Sequence, residues 1–321
     1  MKTLYFTLIL LTSAIYSYAQ QIPQYSQYMR NQFAINPAAA GIYDFTDITL
    51  CGRSQWSGFD NAPLSSFLSL STILDGKYKS VNRFSQKTNN TSSISTGYRK
   101  QALGCQFQAD QYGAFRKMQL SGTYAIHLPI TRKINMSFGA KVGLSNNTFI
   151  QSRAVADNPL NDKTYVSFTS NNTGKNLLDI GSGLYVYSNK FYVGFSVDQL
   201  TKDKVNFGNS STLNFDPKIY FNGIGGVSLN VNDNLTISPS FLIKYMSPAP
   251  LSIEGSIQVE YKKMFWAGIS YRNTDAIVGM LGMNINQKMK FGYSYDYSVS
   301  RFNRYSSGSH ELFLGIMLGN R

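Results

Sequence analysis

The sequence predicts an all-β protein, a transmembrane antiparallel up-and-down β-barrel of 14 strands with an N-terminal non-strand segment at the periplasmic mouth. Three observations lead to this prediction. Apolar and polar residues alternate with period two along nearly all of the 321-residue chain. Short connections between the alternating segments take turns with longer ones, as in bacterial outer-membrane barrels. The chain also begins with the features of an export signal.

The first 19 residues have the pattern of a cleavable signal peptide. An apolar run from Leu4 to Ile15 follows Lys2, and Ser17-Tyr18-Ala19 is a small-x-small cleavage site. The run is too short for a membrane helix, which needs about 20 apolar residues. We therefore predict a signal peptide at 1–19, a periplasmic N-terminal segment or plug at 20–41, and an outer-membrane barrel at 42–321.

Each predicted strand has one apolar and one polar face. From Met289 the odd positions are Met, Phe, Tyr, Tyr and Tyr, whereas the even positions are Lys, Gly, Ser, Asp and Ser. Strands of this kind recur near 43–53, 64–73, 102–110, 115–128, 133–145, 177–188, 190–200, 218–231, 233–245, 250–262, 264–272, 275–286, 288–298 and 309–319.

The lengths of the connections predict which end of the barrel faces which compartment. The very short turns, such as those at Asn189, Asn232, Lys263 and Gln287, fall on one side of the meander and should be periplasmic. The longer connections 146–176, 201–217 and 299–308 fall on the other side and should be extracellular. The long polar stretch 74–101 breaks this rule. It is either a hairpin not recognised from the pattern or a real periplasmic loop.

Composition argues against other protein classes. The formal charge of +13 is scattered along the chain, without the basic helix or base-stacking motif of a nucleic-acid-binding protein. Strands of nine to thirteen residues exceed the five to six that are typical of soluble β-proteins. Two cysteines, Cys51 and Cys105, are too few for a disulfide scaffold, and whether they pair stays open.

Four sequence elements, in order, carry a family resemblance. The first is Gln21 to Met29, including Tyr25, Gln27 and Tyr28, followed by Asn36-Pro37-Ala38-Ala39-Ala40-Gly41. The second is Arg53-Ser54-Gln55-Trp56-Ser57-Gly58-Phe59-Asp60-Asn61-Ala62-Pro63. The last two are Tyr293-Ser294-Tyr295-Asp296 and Gly308-Ser309-His310-Glu311. Together they resemble the PorP/SprF family of Bacteroidetes-type bacteria, from Gln21 to Leu318. The final Arg321 departs from the aromatic residue that commonly ends a barrel.

The resemblance implies a non-enzymatic outer-membrane component of the type IX secretion and gliding machinery. Its implied partners are the periplasmic ring and peptidoglycan-binding subunits, the outer-membrane lipid and, for some members, a specific surface adhesin. No cofactor, metal or nucleic acid is implied. The resemblance leaves open whether the role is core secretion or the service of one client.

Two other function classes have to be weighed. A barrel of 14 strands could serve as a porin or as a transporter of hydrophobic compounds, which bilayer conductance would distinguish from a scaffold. An outer-membrane hydrolase is the third class. It would need one of the two histidines, His127 and His310, and neither lies in a recognisable catalytic or metal-binding signature. His127 follows the polar face of its strand and should point into the lumen.

Several motifs have both a structural and a functional interpretation. The stretch Asn36 to Gly41 is either a turn into the first strand or part of a segment that contacts a partner. Trp56 and Phe59 form either an inward lid or an exposed docking patch. Asp296 and Glu311 indicate a buried ion network rather than acid/base catalysis. We expect Glu311 to hold the loop 299–308 through Arg301 or Arg304.

Overall fold

The computed structural model describes residues 24–74, 94, 96–154, 161, 166, 174–201, 206–207, 218–286, 288–300 and 306–319. In them, fourteen antiparallel strands form one closed barrel, as the alternation predicts. The signal peptide and the arginines at 301 and 304 lie outside the described residues. Among the described residues, no helix is both long and apolar enough to cross a membrane.

The strands follow each other around the barrel in chain order. They are β1 Thr46–Ser54, β2 Leu64–Ile73, β3 Lys100–Tyr112, β4 Phe115–Thr131, β5 Ile134–Phe149, β6 Gly174–Tyr187, β7 Phe191–Asp198, β8 Tyr220–Val227 with its continuation Leu229–Asn232, β9 Leu235–Met246, β10 Ser252–Tyr261, β11 Phe265–Arg272, β12 Ala276–Asn286, β13 Met289–Ser298 and β14 Ser309–Leu318. Pairing of β1 with β14, from Thr46 opposite Leu318 to Ser54 opposite His310, closes the ring. A two-residue segment, Asn206–Phe207, also pairs with β6.

The two faces of the strands are inverted relative to a water-soluble protein. Large apolar side chains point outward, among them Ile269 at 57% and Leu281 at 58% exposure, while serine, asparagine and charged residues point inward and are buried. This is the arrangement expected of a barrel whose outer surface faces lipid. Of the aromatic residues near strand ends, Tyr261 and Phe265 point outward, whereas Tyr187 and Trp266 point into the lumen.

The two ends of the barrel differ in their connections. We call the end at which β4 is followed by β5, β6 by β7, β8 by β9, β10 by β11 and β12 by β13 the turn end. The opposite end, at which β1 is followed by β2, β5 by β6, β7 by β8 and β13 by β14, is the loop end. The connection between β2 and β3 lies at the turn end. Because these two strands pair directly, from Leu64 opposite Gln111 to Ile73 opposite Ala102, no barrel strand is missing between them.

The two cysteines lie on opposite faces of the wall. Cys51 is buried on the inward face of β1, while Cys105 is exposed on the outward face of β3. Both are free thiols, which answers the question that the sequence left open. A disulfide would require the two side chains to point toward each other.

Residues 24–45 lie inside the lumen, and we call them the plug. The plug contains three short 3-10 turns, Tyr28–Arg30, Gln32–Ala34 and Pro37–Ala39. The side chains of Asn31 and Asn36 accept hydrogen bonds from the amides of Ala34 and Ala38, which caps the second and third turns. Apolar plug side chains form the main core of the protein with inward-facing wall residues.

Candidate functional site

The plug runs from the loop end to the turn end of the lumen. Gln24 donates to the hydroxyl of Ser252, the first residue of β10, at the loop end. Arg30 then reaches the turn end, where it pairs with Glu260 at 2.9 Å and lies 4.8 Å from the Trp266 ring. The sequence predicts a periplasmic N-terminal segment or plug at 20–41, and the described part of this segment, from Gln24 onward, runs through the lumen.

After Arg30 the chain turns back into the middle of the barrel before it returns to the turn end. The side-chain Nδ2 of Asn36 donates to the carbonyl oxygens of Leu184 and Phe195 at 2.9 and 3.1 Å, on two neighbouring strands. Pro37 begins the third 3-10 turn directly after this anchor. The sequence thus places a capping residue and a helix-starting residue where the plug has to change direction.

A buried ionic cluster at the loop end holds the start of the plug. We call it the clamp, and it consists of side chains from β1, β10, β11, β13 and β14, namely Arg53, Glu254, Arg272, Asp296 and Glu311, each at most 3% exposed. Arg53 donates to Asp296 at 2.8 Å and to Glu311 at 3.4 Å. Arg272 donates to Glu254 at 2.8 Å and to Asp296 at 3.2 Å.

The clamp binds the plug backbone directly. The two carboxylate oxygens of Glu311 accept hydrogen bonds from the amides of Ser26 and Gln27, at 2.8 and 3.0 Å. The Ser26 hydroxyl donates to Asp296 at 2.9 Å and accepts from Arg53, also at 2.9 Å. The five side chains carry three carboxylates and two guanidinium groups. Successive backbone N–H groups are suitable partners for the excess negative charge.

Tyr28 adds a further polar contact between the plug and the wall, closer to the middle of the lumen. Its hydroxyl lies 3.0 Å from the Ser256 hydroxyl and 3.2 Å from that of Ser240. A tyrosine hydroxyl can both donate and accept, so it can bond to both serine hydroxyls at once.

His127 binds the plug near the turn end. His127 is fully buried in the lumen, as its position on the polar face predicts, and its Nε2 lies 2.8 Å from the carbonyl oxygen of Ala40. Since a carbonyl can only accept, Nε2 carries the proton, and Nδ1 accepts from the Tyr187 hydroxyl at 2.8 Å. Lys100 donates to the carbonyl of Ile42 at 3.0 Å.

Two glycines allow the plug to approach the wall. Gly41 has a φ of +74°, a backbone conformation that other residues rarely adopt. A Cβ added to Gly139 would lie 2.4 Å from the backbone nitrogen of Ala38. The fit between wall and plug is therefore close enough for a single methyl group to disturb it.

The motif from Arg53 to Pro63 lies at the rim of the loop end, and we call it the rim motif. The amide of Trp56, which has a φ of +52°, donates to the hydroxyl of Ser309 at 3.1 Å. The next amide, of Ser57, donates to the carbonyl of Gly308 at 2.8 Å, and the amide of Gln55 donates to the carbonyl of Pro63 at 2.9 Å. Gly58 has a φ of +103°, and the next residue, Phe59, is 39% exposed. The rim motif thus joins the β1–β2 and β13–β14 connections.

The two C-terminal motifs place side chains on both faces of the barrel wall. Both carboxylate oxygens of Glu311 bind the plug, and its described basic partner is Arg53. The expected contacts of Glu311 with Arg301 or Arg304 fall on residues outside the described part of the chain. His310 points away from Glu311, to the outer face, where it contacts Tyr293 at 2.7 Å and packs 5.2 Å from the ring of Tyr295. The buried ion network itself is as predicted.

Beside the clamp, a polar cavity of about 680 Å³, counting the open space at its mouth, lies at the loop end. Its lining includes charged and polar side chains from β3 to β9, among them Lys117, Lys141, Asp198, Tyr220 and Lys244. Lys141 and Asp198 pair with each other, and the lining as a whole is polar and charged, so it does not suit a hydrophobic compound.

Sequence reasoning missed three members of the site. Ser26 lies within a recognised motif, but nothing in its pattern predicts that it contacts the last strand. Glu254 and Arg272 lie on the polar faces of predicted strands. The usable signal was their charge, because an ionisable residue on the inner face of a barrel needs a buried partner.

Comparison with known proteins gives one family and several structural neighbours. A family model described as "Type IX secretion system membrane protein PorP/SprF" matches residues 17–316. A search of curated proteins gives no match.

The solved structures that resemble the chain include three outer-membrane barrels. One is Omp33 of Acinetobacter baumannii, with 7% identity, a TM-score of 0.46, and coverage of 87% of this chain and 100% of that one. The second is CymD, a monoaromatic hydrocarbon channel, with 11% identity, a TM-score of 0.48, and coverage of 92% of both chains. The third is the P. putida toluene transporter TodX, with 10% identity, a TM-score of 0.43, and coverage of 88% and 91%. At these levels the likeness carries no information about ligands.

Proposed function

The chain belongs to the type IX secretion system membrane protein PorP/SprF family, and from that premise we propose a non-enzymatic scaffold role in the outer membrane. In this role the barrel docks periplasmic subunits at its turn end. At its loop end it supports the export or the surface attachment of a secreted protein or adhesin. The scaffold would act by presenting two fixed faces rather than by conducting solutes.

The filled lumen is the observation that carries this proposal. A diffusion pore needs a continuous aqueous path, whereas the plug packs against the wall along the barrel and is bound at both ends by buried polar groups. At each end of the barrel, wall side chains form hydrogen bonds with the plug backbone, so we treat the plug as a fixed part of the fold. A protein whose centre is filled can still act through its rims.

The rim motif supports the assignment of the loop end to a client. Trp56 and Gly58 adopt positive φ values, and the motif is hydrogen-bonded to the connection that precedes β14. Such a pinned loop presents the exposed ring of Phe59 in a fixed place. A fixed apolar side chain in a polar rim is a plausible anchor for a protein partner.

The first experiment compares secretion with conductance. We expect the purified protein to show little conductance in planar bilayers, and a variant lacking residues 21–35 to show much more. In cells, deletion of the gene should abolish surface display of a type IX client, and the wild-type gene should restore it. Equal, large conductance of both proteins, with normal secretion in the deletion strain, would favour the porin alternative.

A second experiment tests the loop-end contact. A Phe59→Ser variant should reach the outer membrane normally and retain less client on the cell surface. Leu281→Ser, on the lipid-facing surface, is a control for the general effect of removing a large apolar side chain. Normal client display by Phe59→Ser would exclude this residue as the anchor.

A further inference from the structure

The two ends of the barrel differ sharply in charge. The described connecting residues of the turn end contain seven basic side chains and one acidic side chain, Asp233; the basic ones are Arg99, Arg132, Lys133, Lys190, Lys262, Lys263 and Lys288. The described connections of the loop end contain two basic residues, Arg153 and Lys218, and two acidic ones, Asp60 and Asp275. Among the described connecting residues, the turn end thus has an excess of six positive charges, seven basic against one acidic, while those of the loop end are neutral.

These cations encircle the barrel at the edge of its apolar surface. All except Lys263 are exposed, and they come from five different connections. Outward-facing apolar residues lie directly beside them, such as Ile130, 56% exposed, two positions before Arg132. Since a strand advances about 3.3 Å per residue, the charges begin within a few ångströms of the last lipid-facing side chain.

The turn at Lys262 and Lys263 adds an independent observation. Both lysines have positive φ values, +50° and +55°, in a turn closed by the hydrogen bond from the amide of Met264 to the carbonyl of Tyr261. Turns of this kind favour glycine and asparagine, so two lysines here cost stability. The Lys262 ammonium lies 5.3 Å from the ring of Tyr261, which is 50% exposed on the lipid-facing surface.

We propose that this basic rim, defined as the six exposed cations at the turn end, binds the phosphate groups of anionic phospholipids. Short turns of this kind face the periplasm, and the periplasmic leaflet of an outer membrane consists of phospholipids. Lysine and arginine at the hydrocarbon edge extend toward headgroup phosphates. The rim selects anionic over zwitterionic lipids and fixes the depth of the barrel in the membrane.

An acidic protein partner is the other macromolecule that such a rim could bind. The position of the charges favours lipid, because they lie beside outward-facing apolar residues and Lys262 contacts a lipid-facing ring. The inference does not depend on the type IX role. A negative result in the secretion assays would not contradict lipid binding, and a negative result in the lipid assay would not contradict the role in secretion.

The test measures lipid selection by the full-length protein. Wild-type protein is reconstituted in nanodiscs of phosphatidylethanolamine with phosphatidylglycerol as the minor component, and native mass spectrometry determines the lipids it retains. We expect phosphatidylglycerol to be enriched. The variant Arg132→Gln/Lys133→Gln should lower the enrichment by at least roughly five-fold at low salt, which corresponds to about 1 kcal/mol for one cation near a membrane surface.

The loop end provides a control of equal charge. Arg116→Gln/Arg153→Gln also removes two exposed positive charges, but from the opposite end, and should leave the enrichment unchanged. High salt should abolish the wild-type enrichment, and Arg132→Lys should retain it.

Three outcomes would overturn the proposal. The first is equal enrichment in wild type and in the turn-end variant. The second is loss of enrichment on adding inorganic phosphate at a concentration that leaves the ionic strength unchanged, which would indicate a site for free phosphate. The third is unchanged lipid selection together with loss of a bound periplasmic subunit, which would make the rim a protein-docking surface.

Discussion

Removal of the Glu311 carboxylate should release the start of the plug. In the variant Glu311→Ala, the buried amides of Ser26 and Gln27 lose their acceptors, and Arg53 keeps only one of its two carboxylates. A buried polar group without a partner costs about 1–3 kcal/mol. Breaking one side of a buried ion pair costs about 3–5 kcal/mol.

The equilibrium between bound and released plug should shift strongly, because both costs arise at the contact between Glu311 and the start of the plug. A loss of about 3 kcal/mol changes the ratio of seated to released plug by roughly 100-fold, since 1.4 kcal/mol is a factor of ten. The barrel should survive, because its ladders do not depend on Glu311 side-chain atoms. Glu311→Gln keeps one carbonyl oxygen and should give an intermediate shift.

Trypsin can report the seated fraction through Arg30. It is the one basic residue among plug residues 24–45, and in the seated plug it pairs with Glu260 and covers Trp266. Cleavage after Arg30, followed by mass spectrometry, should be slow in wild type and much faster in Glu311→Ala. Single-channel conductance should rise in parallel.

Asp275→Asn is the matched control for this experiment. Asp275 also pairs with a clamp arginine, Arg272, at 3.0 Å, but it is partly exposed and has no described contact with the plug. An exposed pair contributes about 0–1 kcal/mol. If Arg30 stays equally protected in Glu311→Ala and Asp275→Asn, in barrels that still show heat-modifiable migration on gels, then the clamp does not hold the plug.

Other consequences can be measured separately. Gly139→Ala should lower stability by about 1–3 kcal/mol, because the new methyl group meets the plug backbone, whereas Gly122→Ala, which meets nothing within 4 Å, should leave the denaturation midpoint unchanged. A membrane-impermeant maleimide added to cells should label Gln24→Cys, at the loop end, and spare Asn232→Cys, at the turn end; the opposite result would invert the topology. Tyr28→Phe should lower the free energy of unfolding by about 1 kcal/mol through its lost hydrogen bonds. An unchanged thermal unfolding curve would show that the hydroxyl does not help to hold the plug.

The strands were predictable because their signal is local. Period-two alternation lies within each strand, so the sequence from Met289 onward predicts β13 without reference to the rest of the barrel. Alternation does not show which way an aromatic residue near a strand end points, and Tyr187 and Trp266 point into the lumen. An aromatic residue near a strand end suits both a membrane interface and a packed lumen, and only the neighbours across the barrel decide between them.

The depth of the plug could not be predicted for a different reason. The plug has no long periodic element, and its anchors are remote, with Ser26 and Glu311 separated by 285 positions. A charged residue on an inner face indicates that a partner exists without identifying it. The motif containing Tyr25, Gln27 and Tyr28 was recognised, but its partners could not be named.

The closed seam between β1 and β14 has a consequence for biogenesis. The plug lies near the N-terminal end of the chain and is synthesised early, yet its hydrogen bonds require Asp296 and Glu311, which are synthesised late. A nascent or truncated polypeptide therefore has an unsatisfied leading segment until the final hairpin arrives. The plug can therefore form its hydrogen bonds to the loop end only after β13 and β14 are in place, so completion of the plugged state depends on the last strands of the barrel.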